Sequence, residues 1–263
     1  MLTALALGSL IGLTLALTGA GGGILAVPAL TLGLGWTMIE AAPLALLTVA
    51  IAALIGIINA MRRGYVRIRA ALLISVVGIL ATPLGLYLSH RLPETGLRLL
   101  FAAVMLIVAT RLWRLSRGKL PPTQRAKSCV INTRTGRIVW TLESFLKLGL
   151  IGLLSGTATG LLGVGGGFIV VPALIRCSNI SMNGIISTSL TVIALISSGA
   201  VISSYSSGKL LINETSELFI AGAIIGMLLG RLFAEKLPAA RLQQGFAILV
   251  VSVALSMVYK TLI

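Results

Sequence analysis

The sequence predicts an all-α membrane protein with about eight transmembrane helices in two homologous halves. Three features predict this fold class: a high apolar content, long apolar runs separated by short polar segments, and a glycine-rich motif that occurs twice. Of the 263 residues, 57% are hydrophobic and 10% are charged, and the mean hydropathy is +1.07. Soluble proteins carry about 25% charged residues. This chain has too few charges to cover a water-facing surface, so most of its surface must face lipid.

The apolar runs define the domain organisation. A spanning helix needs about 20 mainly apolar residues, and such runs recur along both halves of the chain. The runs cover residues 2–35, 37–60, 70–89 and 95–113, and then 145–175, 183–205, 216–233 and 239–259. The stretch between the two sets is basic and contains prolines and glycine, which is typical of a linker. We therefore predict a first membrane repeat over 1–113, a basic cytoplasmic linker over 114–144, and a second membrane repeat over 145–263.

The two halves share glycine and proline positions along their whole length. The segment from Gly19 to Gly23, followed by Pro28, matches the segment from Gly163 to Gly167, followed by Pro172. Further pairs are Thr48 with Thr191, Gly56 with Gly199, Gly78 with Gly222, Gly85 with Gly230, and Pro93 with Pro238. Agreement of glycine and proline over a half-chain is not expected by chance, and internal repeats of this kind recur in secondary transporters.

The net charge of +15 is concentrated between the apolar runs. One cluster surrounds the 61–69 loop and the other fills the linker, as expected for cytoplasmic loops under the positive-inside rule. Lipid headgroups of the bilayer are therefore the expected contact of these charges, and nucleic acid is not a predicted partner. If every long run crosses once, the halves are parallel, with both termini in the cytoplasm, and we favour that arrangement. If each glycine-broken run enters and leaves on one side, the halves are inverted.

The glycine segments are the first candidate functional site. Each glycine costs a helix about 1 kcal/mol relative to alanine, so a continuous helix through either segment is not expected. Broken backbone survives in a bilayer where protein or a water-filled cavity surrounds it, and N–H groups at the start of the next half-helix can then face an anion. The alternative is close helix packing through small residues. The predicted substrate-binding glycines are Gly19, Gly21, Gly22, Gly23, Gly163, Gly165, Gly166 and Gly167.

A hydroxyl cluster in the second half is the other candidate. Ser187, Thr188, Ser189 and Thr191 lie within an apolar run, and their hydroxyls can donate to an oxyanion without carrying charge. The alternative is that they bond back to carbonyls of their own helix. The first half has Pro43-Leu44-Ala45 near the equivalent positions. The two halves therefore cannot contribute identically to a binding site.

The inventory of reactive side chains argues against an enzyme. The chain has one histidine, no aspartate, six glutamates and two cysteines, which is little for acid–base, nucleophilic or metal chemistry. We predict no catalytic residue, no metal site and no cofactor. No glutamate lies clearly at mid-membrane, so the sequence identifies no proton carrier.

These motifs resemble those of the TauE/SafE sulfite-exporter family. Its G-x-G-G-G-x-x-x-x-P-x-L motif is matched at 19–30 and 163–174, and its Thr-Ser-Leu element is matched by Thr188-Ser189-Leu190. Its Gly-x-Val turn is matched by Gly64-Tyr65-Val66, and more loosely by Gly208-Lys209-Leu210. The resemblance implies transport of sulfite, sulfonates or related sulfur anions, often as export. The absence of the hydroxyl element from the first half departs from the family pattern.

The leading hypothesis is therefore a secondary transporter of a small anion, in the inner membrane of a bacterium. No ATP-binding loop is present in the sequence, so a proton or ion gradient is the expected driving force. Two rival functions are an intramembrane enzyme and a non-transporting subunit that anchors or assembles a complex.

Overall fold

The computed structural model describes residues 2–19, 21–62, 64–116, 140–206, 213–234 and 239–262. These residues form ten helices, as predicted for an all-α membrane protein. The helices are α1 (Leu2–Thr18), α2 (Gly21–Gly33), α3 (Met38–Arg62), α4 (Ile68–Arg91), α5 (Glu94–Ser116), α6 (Leu142–Leu162), α7 (Gly167–Cys177), α8 (Met182–Ser206), α9 (Glu214–Ala234) and α10 (Ala239–Leu262). Seven of them are long and apolar enough to cross a membrane, and α1, α2 and α7 are shorter apolar helices.

Each half begins with a pair of helices separated at the glycine segment, so the predicted breaks in the first helices are confirmed. Gly19 has a φ of 70°, and Gly163, Gly165 and Gly166 have φ values of 71°, 77° and 69°. These are left-handed conformations that glycine adopts without a steric penalty. In the second half, Gly163 ends α6 as its C-cap, with its N–H donating to the Thr159 carbonyl at 2.9 Å. The chain then reverses into α7.

Polar residues fix the starts of two long helices. Thr37 precedes α3, and its N–H and hydroxyl donate to Oε2 of Glu40 at 3.1 and 2.7 Å. Thr141 precedes α6 and forms a capping box with Ser144. These contacts satisfy N–H groups that the first turn of a helix leaves without intrahelical acceptors.

The two halves pack together because the first helix of each half lies against the fourth helix of the other. The most extensive helix contact is α1 with α9, and the next is its repeat equivalent, α6 with α4. Glycines line both contacts, because a Cβ on Gly12 would overlap the Ala223 carbonyl and a Cβ on Gly156 would overlap the Gly78 carbonyl. Small residues allow this close approach of helix backbones in a membrane.

The direction of neighbouring helices shows that the halves are inverted. Gly22 in α2 lies beside Leu15, while Gly33 lies beside Leu7, so α2 runs back along α1. A cavity joins the start of α5, at Arg98, to the end of α10, at Lys260. The equivalent helices α5 and α10 are therefore antiparallel.

The preference for parallel halves was wrong, as was the assumption that each long run crosses once. The first run of 34 apolar residues contains two short helices of 17 and 13 residues, which form a hairpin. Its ends therefore lie on the same side, and the three long helices that follow give each half an odd number of crossings. The boundaries of the linker stay a prediction, because residues 117–139 lie outside the described part of the chain.

Positive charge differs between the two ends of the helix bundle. We call the end where α3 ends and α4 begins the inner end, and the opposite end the outer end. At the inner end lie the described side chains of Arg62, Arg67, Arg69, Arg111, Arg114, Lys147, Arg176 and Arg231. At the outer end lie those of Arg91, Arg98 and Lys260. By the positive-inside rule, we expect the inner end to face the cytoplasm.

The inverted arrangement predicts the side on which two introduced cysteines lie. In a variant with Cys129 and Cys177 changed to serine, Glu214→Cys should react with a membrane-impermeant maleimide in intact cells, because α9 begins at the outer end. Tyr65→Cys, at the inner end, should react only after lysis. Parallel halves would place both cysteines inside, so protection of Glu214→Cys in intact cells would contradict the inverted fold.

Candidate functional site

The second glycine break lies in the protein interior. Residues from Gly163 to Phe168 are all buried. The first turn of α7 has N–H groups without intrahelical acceptors, as every helix start does. Among the described residues, none accepts a hydrogen bond from the N–H of Gly167 or Phe168. The partial positive charge of a helix start is therefore held inside the protein.

Four helices surround this break. A Cβ on Gly166 would lie 2.7 Å from the Ser155 carbonyl oxygen and 3.0 Å from the Thr159 hydroxyl, both in α6. A Cβ on Gly165 would lie 2.7 Å from the Ser197 hydroxyl in α8, and a Cβ on Gly163 would lie 3.3 Å from Val27 in α2 and 2.5 Å from Ala42 in α3. The break is thus enclosed by α6 and α8 of its own half and by α2 and α3 of the other.

Two serine hydroxyls beside the break have no hydrogen-bond partner in the part of the chain that the structure describes. Ser155 and Ser197 are both 0% exposed, and neither Oγ atom has a hydrogen-bond partner among the described residues. Thr159 is also fully buried, but its hydroxyl donates to the Ser155 carbonyl at 2.7 Å. Leaving a buried hydroxyl unpaired costs about 1–3 kcal/mol. The pair of serines is therefore available to a ligand.

The first break differs from the second in backbone geometry, and its surroundings are apolar. Among its described residues only Gly19 is left-handed, and Gly21 and Gly22 already belong to α2, whereas their equivalents Gly165 and Gly166 precede α7. Gly22 lies against Ile11 and Leu15 of α1, which are the repeat equivalents of Ser155 and Thr159. The two breaks also meet, because a Cβ on Gly23 would overlap the Val164 carbonyl. The polar side chains around the paired breaks therefore come from the second half.

The hydroxyl cluster of α8 is partly engaged in structural bonds. The Thr188 hydroxyl accepts a hydrogen bond from the Arg67 N–H at 3.1 Å, and the Thr191 hydroxyl donates to the Ser187 carbonyl at 3.0 Å. Ser187 is buried, and Ser189 is buried with no partner for its hydroxyl among the described residues. The latter two remain candidates.

The cluster and the second break are separate along α8. Ser189 and Ser197 are eight residues apart, which corresponds to about 12 Å of helix. Ser197 lies beside the break, whereas Thr188 contacts Arg67 near the inner end. The structure thus separates the hydroxyl cluster from the second break. The cluster begins beside the first break instead, because a Cβ on Gly19 would lie 2.6 Å from Ile186, the residue before Ser187.

Three residues near these features were missed by the sequence analysis. Ser155 and Ser197 occur alone in apolar helices, and single serines there usually bond to their own backbone. Comparing the repeats position by position would have found them, since their equivalents in the first half are Ile11 and Leu54. Arg67 was treated as a loop charge, but its Nε is buried and has no hydrogen-bond partner among the described residues.

A small cavity adjoins the second break from the outer end. It has a volume of about 40 Å³ and lies between α3, α4, α6 and α8. Gly163, Pro43, Leu46, His90 and Ser204 are among the residues that line it. The break is therefore adjacent to a gap between the two halves.

Known proteins similar to this chain are membrane transporters by name. The family model described as sulfite exporter TauE/SafE matches residues 4–257. A "Probable membrane transporter protein" of Xylella fastidiosa strain Temecula1 is 30% identical over 97% of this chain and 93% of its own length. Its counterpart from strain 9a5c is 29% identical over the same shares. No solved structure matches the chain.

Proposed function

Because the chain belongs to the sulfite exporter TauE/SafE family and is a multi-pass membrane transporter, we propose that it carries sulfite, an organosulfonate or a related sulfur oxyanion. In this proposal it exports the anion across a bacterial inner membrane. The proposed site is the second break, with the N–H groups of Gly167 and Phe168 and the hydroxyls of Ser155 and Ser197 as donors. Gly23 of the first break, which lies against Val164, closes the opposite wall.

The unpartnered serines beside a buried helix start are the observation that supports an anionic substrate. Hydroxyls and backbone N–H groups are donors, and the helix start adds a partial positive charge. No lysine, arginine or glutamate is among the nearest neighbours of Gly165 or Gly166. Transport requires that the bound substrate be released again, and this site would hold the anion through neutral donors rather than through a full positive charge.

The inverted halves support a transport cycle with alternating access. Inverted repeats place a substrate site at the repeat interface, and rocking of one half against the other exposes it to each side in turn. Here α3 of the first half packs beside Gly165 of the second. A movement at this contact would open the break to the gap at the outer end or toward Ser189 and the inner end. We propose a proton or ion gradient as the energy source.

Removing either serine hydroxyl should impair transport without destabilising the protein. Ser155→Ala and Ser197→Ala are each expected to lower sulfite flux in proteoliposomes about tenfold, since a hydrogen bond to a charged group contributes about 1.5–3 kcal/mol. Thermal stability in detergent should be unchanged or higher, because each change removes a buried hydroxyl that has no partner in the described protein.

Ser252→Ala is a matched control. Ser252 is exposed in α10, and its hydroxyl donates to the Ile248 carbonyl of its own helix, so its removal should leave flux at the wild-type level. Wild-type flux in a Ser155→Ala/Ser197→Ala double variant would contradict the site. No flux of sulfite, isethionate or methanesulfonate by folded wild-type protein would contradict the proposed substrate class.

A further inference from the structure

A second polar cavity lies at the outer end, away from the glycine breaks. It has a volume of about 120 Å³ and lies between the end of α2, the start of α5 and the end of α10. One water occupies about 30 Å³ in the liquid, so the cavity has room for a small oxyanion group. The cavity is lined by Thr31, Leu32, Gly35, Trp36, Arg98, Met257, Lys260 and Thr261.

The cavity contains two of the few cations at the outer end. The three described cations there are Arg91, Arg98 and Lys260, and the last two line this cavity. Arg91 is engaged elsewhere, because its guanidinium lies over the Tyr87 ring at 4.8 Å and donates to the Tyr87 hydroxyl. The other two described cations of the outer end, Arg98 and Lys260, therefore lie together at this cavity.

Glu94 neutralises only part of that charge. Its Oε1 accepts from Nη2 of Arg98 at 2.6 Å, while Nε of Arg98 is buried and has no partner among the described residues. Among the described residues, Glu94 therefore pairs with only one of the two cations that line the cavity. Nε and Nη1 of Arg98 and Nζ of Lys260 are donors that can serve an oxyanion.

The two cations of this cavity have no charged equivalents in the other repeat. With the offset that pairs Phe101 with Phe246, Arg98 corresponds to Gln243 and Lys260 to Leu115. Neither cation is therefore part of the duplicated framework. A competing explanation is that Lys260, in the last turn of α10, only complements the negative end of that helix.

We propose that this outer cavity binds an oxyanion group, such as a sulfonate, a sulfite or a phosphate, between Arg98 and Lys260. The source of that group is either a free anion at the outer mouth or the phosphate of a lipid headgroup. The cavity is separate from the second break, so this site does not depend on the proposed transport site.

Trp36 provides a direct reporter of binding. In a full-length Trp113→Phe/Trp140→Phe background, Trp36 is the single tryptophan. Sulfate and methanesulfonate are titrated into delipidated protein in detergent in one arm, and phosphatidylglycerol is titrated in the other. At least one arm should give a saturable change in Trp36 emission. Arg98→Gln and Lys260→Gln should each weaken that binding about tenfold, corresponding to the loss of one charge-assisted contact.

Arg91→Gln is the matched control, because Arg91 is an outer-end arginine outside the cavity. It should bind as wild type does. Saturation by the free anions assigns a soluble source, and saturation by phosphatidylglycerol alone assigns a lipid; both support the site. No saturable change in either arm, or wild-type affinity in Lys260→Gln, would overturn it, and the exposed position of Lys260 makes that variant safe for folding. Binding is measured without flux, so a failure of transport would be seen separately.

Discussion

Gly166→Ala is expected to lower anion flux by about tenfold or more, whereas Gly64→Ala keeps wild-type flux. Both glycines are left-handed, with φ values of 69° and 68°, so alanine adds a similar backbone strain of about 1–3 kcal/mol at each. At Gly166 the new Cβ would also lie 2.7 Å from the carbonyl oxygen and 2.8 Å from Cβ of Ser155. At Gly64 nothing lies within 4 Å. The difference between the variants therefore measures the contact of the break with α6.

The physical reason for the large effect is displacement of the donors. Relief of the overlap must move the start of α7 away from α6, because the nearest atoms include helix backbone rather than a flexible side-chain end. That movement shifts the N–H groups of Gly167 and Phe168 relative to the Ser155 hydroxyl. Small misplacements of binding groups have large effects on function.

Flux in proteoliposomes, normalised to protein that elutes as a single species in detergent, is the measurement. A sulfite flux that falls equally in Gly166→Ala and Gly64→Ala would show that left-handed strain alone matters. Wild-type flux in Gly166→Ala would contradict a role for the second break in transport. Gly165→Ala is a useful third variant, since its Cβ would meet the Ser197 hydroxyl, which must then rotate away from the break. Its expected loss of flux is therefore similar to that of Ser197→Ala.

Much of the fold follows from the sequence because lipid imposes simple requirements. Long apolar runs must be helical, since the backbone groups of a spanning segment have no water to bond. The breaks could also be located, because clustered glycines are poor helix formers and the same cluster occurs in both halves. The glycines alone did not predict the direction of the helix that follows the break. That direction depends on whether α2 packs along α1. Gly22 and Gly33 make that antiparallel contact.

The site was harder to derive than the fold. The glycine breaks were identified as candidates, but the side chains that face the second break come from α6 and α8, at positions fixed by tertiary packing. Ser155 and Ser197 lie 42 residues apart, and no local pattern connects them. The conspicuous hydroxyl cluster drew attention instead, although Thr188 and Thr191 make structural hydrogen bonds. Density of polar residues in the sequence is a weaker signal than an unsatisfied group in the folded protein.

Gly156→Leu is expected to abolish the folded protein, while Gly149→Leu on the same helix leaves it intact. A Cβ on Gly156 would overlap the Gly78 carbonyl and also lie 2.6 Å from the Gly78 Cα. Because these are backbone atoms of α4, the overlap is relieved only by separating α4 from α6, and with them the two halves. Overpacking by side chains typically costs about 1–3 kcal/mol, occasionally more. Here the overlap is with backbone that moves only if the two helices separate, so the cost exceeds that range and becomes comparable with a native stability of about 5–15 kcal/mol. The folded fraction should therefore fall sharply.

Gly149 provides the comparison because nothing lies within 4 Å of its Cβ position. Leucine there replaces a poor helix former by a good one, a gain of up to about 1 kcal/mol, with space for the side chain. Fluorescence-detected size-exclusion chromatography should show aggregated Gly156→Leu and monodisperse Gly149→Leu. The inverted repeat extends this prediction to Gly12→Leu, whose Cβ would overlap the Ala223 carbonyl in the equivalent α1–α9 contact. The opposite result would be that Gly12→Leu and Gly156→Leu are both monodisperse and as heat-stable as Gly149→Leu. That result would contradict the conclusion that the α1–α9 and α4–α6 contacts hold the two halves together.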